Sequence, residues 1–124
     1  MTVQKRVLVI GLEPTVVDFS NFPGLSAEKV MTALRGDQAK LNALSYDTQL
    51  CLVEVGSTAE VVVLQTLSQN KFDCILIGAG VRTAPEHFVL FEKLINVVHQ
   101  HAPSAKLCFN TNPSDTAEAV LRWI

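Results

Sequence analysis

Three short stretches, each following an apolar run, hold the residues best suited to chemistry. In Gly78-Ala79-Gly80-Val81-Arg82-Thr83, two glycines let the backbone approach a ligand, and a helix opening there offers unpaired amides to an anion. Arg82 adds a forked cation suited to phosphate or carboxylate. Gly11-Leu12-Glu13-Pro14 opens a second stretch, which runs to Leu25 and carries Asp18, Ser20 and Asn21 among the apolar Phe19 and Phe22. Asn110-Thr111-Asn112 brings amides that can orient a ligand, although Asn112 also fits a helix cap and Asn110 a turn. Gly11, Glu13, Gly78, Gly80, Arg82, Thr83 and Asn110 are therefore the expected ligand-binding residues. The expected ligand is a small molecule or an anion, phosphate-containing compounds foremost. The sequence offers no recognisable nucleophile–base pair, so it assigns neither a catalytic residue nor a cofactor.

The cysteines Cys51, Cys74 and Cys108 contain no C-x-x-C spacing and cannot form a tetrahedral metal set by themselves, so no metal site is expected. Each lies inside an apolar run and reads as a small buried hydrophobe in a reducing compartment. His87 falls in the opening turn of a helical pattern, where the dipole disfavours its charged form. It reads either as a neutral acid–base group beside Arg82 or as an ordinary surface histidine. His99 and His101 end the same pattern, where cations are favoured. Arg35-Gly36-Asp37 spells an adhesion tripeptide, but inside a helical segment the spelling is a coincidence.

Two of the stretches resemble known motifs. Gly78 to Thr83 resembles the dinucleotide fingerprint G-x-G-x-x-G, with Thr83 in the place of the third glycine. The acidic ribose-binding residue that the fingerprint implies about 20 residues further on is missing, and Asn110 stands at the end of the next strand. The stretch also opens the third strand–helix unit, which leaves too little chain for two nucleotide halves. Gly11-Leu12-Glu13-Pro14 resembles the start of pyroglutamyl peptidases, G-F-E-P-F. That likeness covers four residues and no catalytic group, so it implies no activity for this chain.

The elements that position these stretches follow from hydrophobic patterning. Val7 to Ile10, Leu50 to Val53, Phe72 to Ile77 and Ala105 to Phe109 are strand-like runs, closed by Gly11, Gly56, Gly78 and Asn110. Such continuous runs indicate strands buried on both faces, hence parallel strands joined by helical crossovers. Ser26, Ser57 (with Glu60), Thr83 (with Glu86) and Asn112 (before Pro113) are the expected helix caps. Residues 26 to 45 suit a helix of about 30 Å, kinked at Gly36 or split there into two. Asp37 shares a face with Val30, Leu34, Leu41 and Leu44. The segment from Pro85 to His101 is apolar on more than one stripe, with Leu90 and Val97 as the surplus that would meet a neighbouring helix or subunit.

Right-handed crossovers favour the strand order 2-1-3-4 in a three-layer α/β/α, flavodoxin-like domain over residues 1–124. The second and third helices would share one face and the first and last the other. The order reverses between strands 1 and 3, and ligands in open α/β sheets bind beyond the strand carboxyl ends at such a reversal. This outline resembles a response-regulator receiver domain over most of the chain. Glu13 alone follows the first strand, Gly78 stands where that family has its phosphoacceptor Asp, and Lys106 lies at the amino end of the last strand. Phosphoacceptor chemistry therefore does not carry over.

Composition narrows the function classes. At 48% hydrophobic and 18% charged, the 124 residues suit one core-forming domain. A net charge of −2, with no basic run beyond Lys5-Arg6, argues against nucleic acid as partner. No apolar run approaches the ~20 residues of a membrane span, and Met1 to Arg6 is unlike a signal peptide. The expected location is cytoplasmic. The alternative to a ligand-binding domain is a non-catalytic, receiver-like interaction module. Strand 4 would be an open edge whose only charge is Lys106, and no further element after Trp123-Ile124 would shield it, so a homodimer is expected.

Overall fold

The computed structural model describes residues 4–20 and 22–124, so Asn21 lies outside the described residues. The strands are β1 (Arg6–Leu12), β2 (Asp47–Val53), β3 (Cys74–Ile77) and β4 (Lys106–Phe109). The helices are α1 (Ala27–Ala43), α2 (Thr58–Gln69), α3 (Ala79–Arg82), α4 (Phe88–His101) and α5 (Thr116–Leu121). The four strands form one parallel sheet in the order β2-β1-β3-β4, so the expected flavodoxin-like architecture is the one observed.

Strand β1 is central and buried from Val7 onward, as its unbroken apolar run requires. Val9 is in register with Leu50 on one side and Leu76 on the other. Alternate residues enter separate cores. Leu8, Ile10, Cys51, Ile75 and Ile77 pack with Val63 of α2 and Leu94 of α4. Val7, Val9, Cys74, Leu76 and Cys108 pack with Leu34 and Leu41 of α1 and Val120 of α5. The expected pairing of helices on the two faces therefore holds.

Two caps form as the sequence indicates. Ser26 Oγ accepts from the Lys29 amide at 3.2 Å, and Asn112 with Asp115 makes a reciprocal capping box. Two others do not form. Ser57 has αR dihedrals (φ −74°, ψ −14°) rather than the extended ones that aim a cap at the N3 amide, and it makes no side-chain cap bond. Glu60 instead pairs with Lys93 of α4 at 3.6 Å. Thr83 closes α3 rather than opening α4, its hydroxyl donating to the Ala79 carbonyl at 2.7 Å. A 3₁₀ turn over Pro85–His87 then leads into α4.

Helix α1 runs as one helix through Gly36, so of the two expected alternatives, a kink there or a split into two helices, the split does not occur. Leu34, Asp37 and Leu41 anchor one buried stripe across that position. Asp37 accepts from the Ala117 amide in the first turn of α5 at 3.2 Å, which explains an acid on the core face. That burial also takes the Asp37 of the Arg35-Gly36-Asp37 tripeptide out of display, while Arg35 and Gly36 remain exposed. The apolar surplus of α4 lies elsewhere than expected. Leu90 is buried and Val97 packs against the core, whereas Phe88 and Val89 are 60% and 58% exposed. Helix α4 begins at Phe88 and buries Leu90, Leu94 and Val98 against the sheet. No helix among the described residues is long and apolar enough to cross a membrane.

Candidate functional site

Two loops converge at the reversal between β1 and β3. Gly11 and Leu12 extend β1 beyond the expected strand, and the Glu13 amide continues its pairing by donating to the Val53 carbonyl at 2.9 Å. The chain then turns through a 3₁₀ segment, Pro14–Val16, and crosses in front of α1. On the other side, the Gly78 amide donates to the Ile10 carbonyl at 2.8 Å, which holds the loop against β1. The approach needs a small residue: a Cβ at Gly78 would stand 3.3 Å from that same carbonyl oxygen.

Between these loops lies a cavity of about 330 Å³. Its walls are Leu12, Pro14, Val17, Phe19, Phe22 and Leu25 from the first loop and Val30 and Leu34 from α1. Gly11, Gly78, Ala79, Gly80, Thr83 and Asn110 to Asn112 complete them. Five of the expected ligand-binding residues, Gly11, Gly78, Gly80, Thr83 and Asn110, therefore meet at one place. Glu13 and Arg82 are not among its lining residues. The Glu13 carboxylate accepts from the Thr15 hydroxyl at 3.2 Å. Arg82 donates from Nε to the Ile77 carbonyl at 3.3 Å, and its guanidinium lies over the Phe109 ring, 5.3 Å from the centroid. Phe109 packs edge-to-face on Phe91 of α4, and this ring pair holds the Arg82 cation off the cavity lining. Burial lowers the pKa of the Arg82 guanidinium, against an opposing influence from Asp115.

Asn110 is almost wholly buried and holds the site together. Its Oδ1 accepts from the Ala79 amide at 2.7 Å, and its Nδ2 donates to Thr116 Oγ1 at 2.9 Å. The first amide of α3, available to an anion on sequence grounds, is thus already bonded within the protein. Next to it, the Asp115 carboxylate accepts from the Thr111 hydroxyl and from the Thr111 and Asn112 amides. Burial pushes that carboxyl up, but these donors and nearby Arg122 outweigh it and hold it below the ordinary value. His87 hydrogen-bonds through Nδ1 to the Gly80 carbonyl at 3.1 Å; because a carbonyl only accepts, that nitrogen carries the proton. The ring braces the glycine turn from outside the cavity.

The apolar walls from Leu12 to Leu34 were not singled out as site residues by sequence reasoning. The available signal was a long loop at the strand reversal with phenylalanines set among its polar residues. A second cavity, of about 340 Å³, opens at the far end of the sheet, between residues 67–72 and 101–105. It lies beyond the strand amino ends, away from the reversal where open sheets bind ligands. The cysteines are all buried. Cys74 and Cys108 touch at 3.5 Å, and Cys51 contacts the Thr66 hydroxyl at 3.7 Å. Burial raises the Cys51 thiol, and hydrogen bonding to Cys74 together with burial raises that of Cys108. Among the described residues, no three His, Cys, Asp or Glu side chains group to hold a metal ion. Set beside known proteins, the chain matches no family model and no curated sequence.

Proposed function

We propose that this chain binds a small, largely apolar molecule in the cavity at the carboxyl ends of β1 and β3. The observation that carries this reading is the cavity itself: about 330 Å³, mostly apolar, with a few polar groups converging at the strand reversal. Binding pockets commonly combine that size, lining and position. Gly80 supplies the test. No atom lies within 4 Å of a Cβ built there, so a side chain can start from Gly80 without a clash at its first carbon, and Gly80→Leu is expected to take up cavity space. A panel of metabolites and fragments is screened by thermal shift, where a ligand at 100 times its Kd adds about 2.7 kcal/mol of stability. A shift in the native chain that disappears in a folded Gly80→Leu variant supports the reading; a shift that persists places binding elsewhere. Phosphate compounds form one arm of the panel. A rise with phosphate that Arg82→Ala abolishes would restore an anion site on the Gly78–Thr83 turn.

A second reading, a non-catalytic module that forms homodimers, is favoured by a separate observation. Strand β4 is an edge of the sheet, and Phe88 and Val89 stand exposed at the start of α4. Arg122 covers part of that edge by donating to the Phe109 carbonyl at 3.0 Å. Sedimentation equilibrium at micromolar concentration decides it: a dimer that Phe88→Glu dissociates supports the module, and a monomer throughout rejects it.

A further inference from the structure

The hydrogen-bond inventory of the cavity specifies which end of a ligand it accepts, an inference that rests on the cavity being the binding site. The Thr83 hydroxyl has committed its only proton to the Ala79 carbonyl. That of Thr111 has committed its proton to the Asp115 carboxylate. The Asn112 side chain donates to Thr111 Oγ1 at 3.3 Å, and its Oδ1 already accepts from the Ser114 amide at 2.8 Å while keeping a lone pair. The Thr111 and Asn112 amides both point to Asp115. What the two threonine hydroxyls can still offer is lone pairs, while Asn112 keeps one Nδ2 proton beside its lone pair. Groups able to donate there include the Gly80 amide and the second side-chain amide protons of Asn110 and Asn112, and among the described residues no charged side chain lines the cavity.

We infer that the site is selective for a neutral ligand with an apolar body and a hydroxyl or comparable donor group, and that it discriminates against carboxylates and phosphates. A donor placed at Thr83 and Thr111 satisfies lone pairs that an apolar ligand would bury unpaired. An anion there meets oxygen lone pairs and no cation, and it loses its own hydration as well. The lining thus reverses the charge preference that the glycine-rich turn suggests on its own.

The test uses one aromatic body with three heads: 2-naphthylmethanol, its methyl ether, and 2-naphthoate. Titrations of the full chain are followed by amide proton–nitrogen NMR, so that Gly80, Thr83 and Thr111 report where each probe sits. The alcohol is expected to bind at least tenfold more tightly than the ether or the carboxylate while shifting those amides. Thr83→Val or Thr111→Val, each first checked for a native spectrum, is expected to erase at least half of the alcohol's advantage over the ether. Naphthoate binding in the cavity as tightly as the alcohol would overturn the donor assignment while leaving a ligand site there. An alcohol preference untouched by either valine variant would overturn it too. No shift of the cavity amides with any probe at millimolar concentration would refute the cavity as the site, and this inference with it.

Discussion

Replacing Asn110 by alanine removes the side chain that ties the loop after β3 to the start of α5. Asn110 is 3% exposed; its Oδ1 accepts from the Ala79 amide at 2.7 Å and its Nδ2 donates to Thr116 Oγ1 at 2.9 Å. Alanine keeps the backbone but leaves the Ala79 amide without that acceptor. A buried donor stripped of its partner costs about 1–3 kcal/mol, and the lost neutral bond to Thr116 costs about 1 kcal/mol more. The cavity beside Ala79 can admit water, so the lower part of the range applies, about 2–3 kcal/mol in all. For 124 residues, an unfolding entropy of about 2.1 cal/mol/K per residue converts this to a fall in Tm of roughly 8–12 °C. Thermal unfolding followed by circular dichroism, with urea titration to check that the slope is unchanged, measures it. Asn112→Ala is the control: its side chain caps an exposed turn, and its loss costs about 1 kcal/mol. An Asn110→Ala variant no less stable than Asn112→Ala would refute the reasoning, because the two bonds would then not hold the loops together.

Further expectations follow from individual positions. Gly36 sits exposed in the middle of α1 with no atom within 4 Å of an added Cβ, so Gly36→Ala raises stability by about 1 kcal/mol, read from the urea midpoint. Gly56 has φ +130°, a backbone conformation costly for any side chain, so Gly56→Ala lowers the same midpoint by at least about 1 kcal/mol. Cys51, Cys74 and Cys108 are all buried and resist a thiol reagent until the chain unfolds; rapid labelling of any one in the native state would contradict their packing. The Asp115 carboxyl is held below its ordinary 3.8, so its contribution to stability is fully present above that pH and is lost as the pH falls through the lower, folded value. Asp115→Asn is therefore expected to flatten the acid limb of the stability curve below pH 3.8, which acid titration of the two proteins compares directly.

By itself the sequence determined the layers and their order. Val7 to Ile10 and Cys74 to Ile77 are apolar without alternation, which only strands covered on both faces can use, and parallel strands with right-handed crossovers leave few orders to choose from. The Ser26 and Asn112 caps and the buried cysteines were readable for the same reason: each depends on a few neighbouring residues or on a run that must be buried. Tertiary structure decided the rest. Whether Ser57 and Thr83 cap a helix depends on backbone dihedrals set by the preceding turn and by the intervening α3, not on S-x-x-E or T-x-x-E spacing. The charge at Asp37 made sense only once Ala117, distant in sequence, donated to it. The polarity of the cavity was likewise a three-dimensional property. The segments that line the cavity meet only in the fold, Asn110 takes up the amide an anion would have used, and the Phe109 ring holds Arg82 off the lining. A motif names which groups are present, but their free valences and directions depend on the neighbours that packing brings to them.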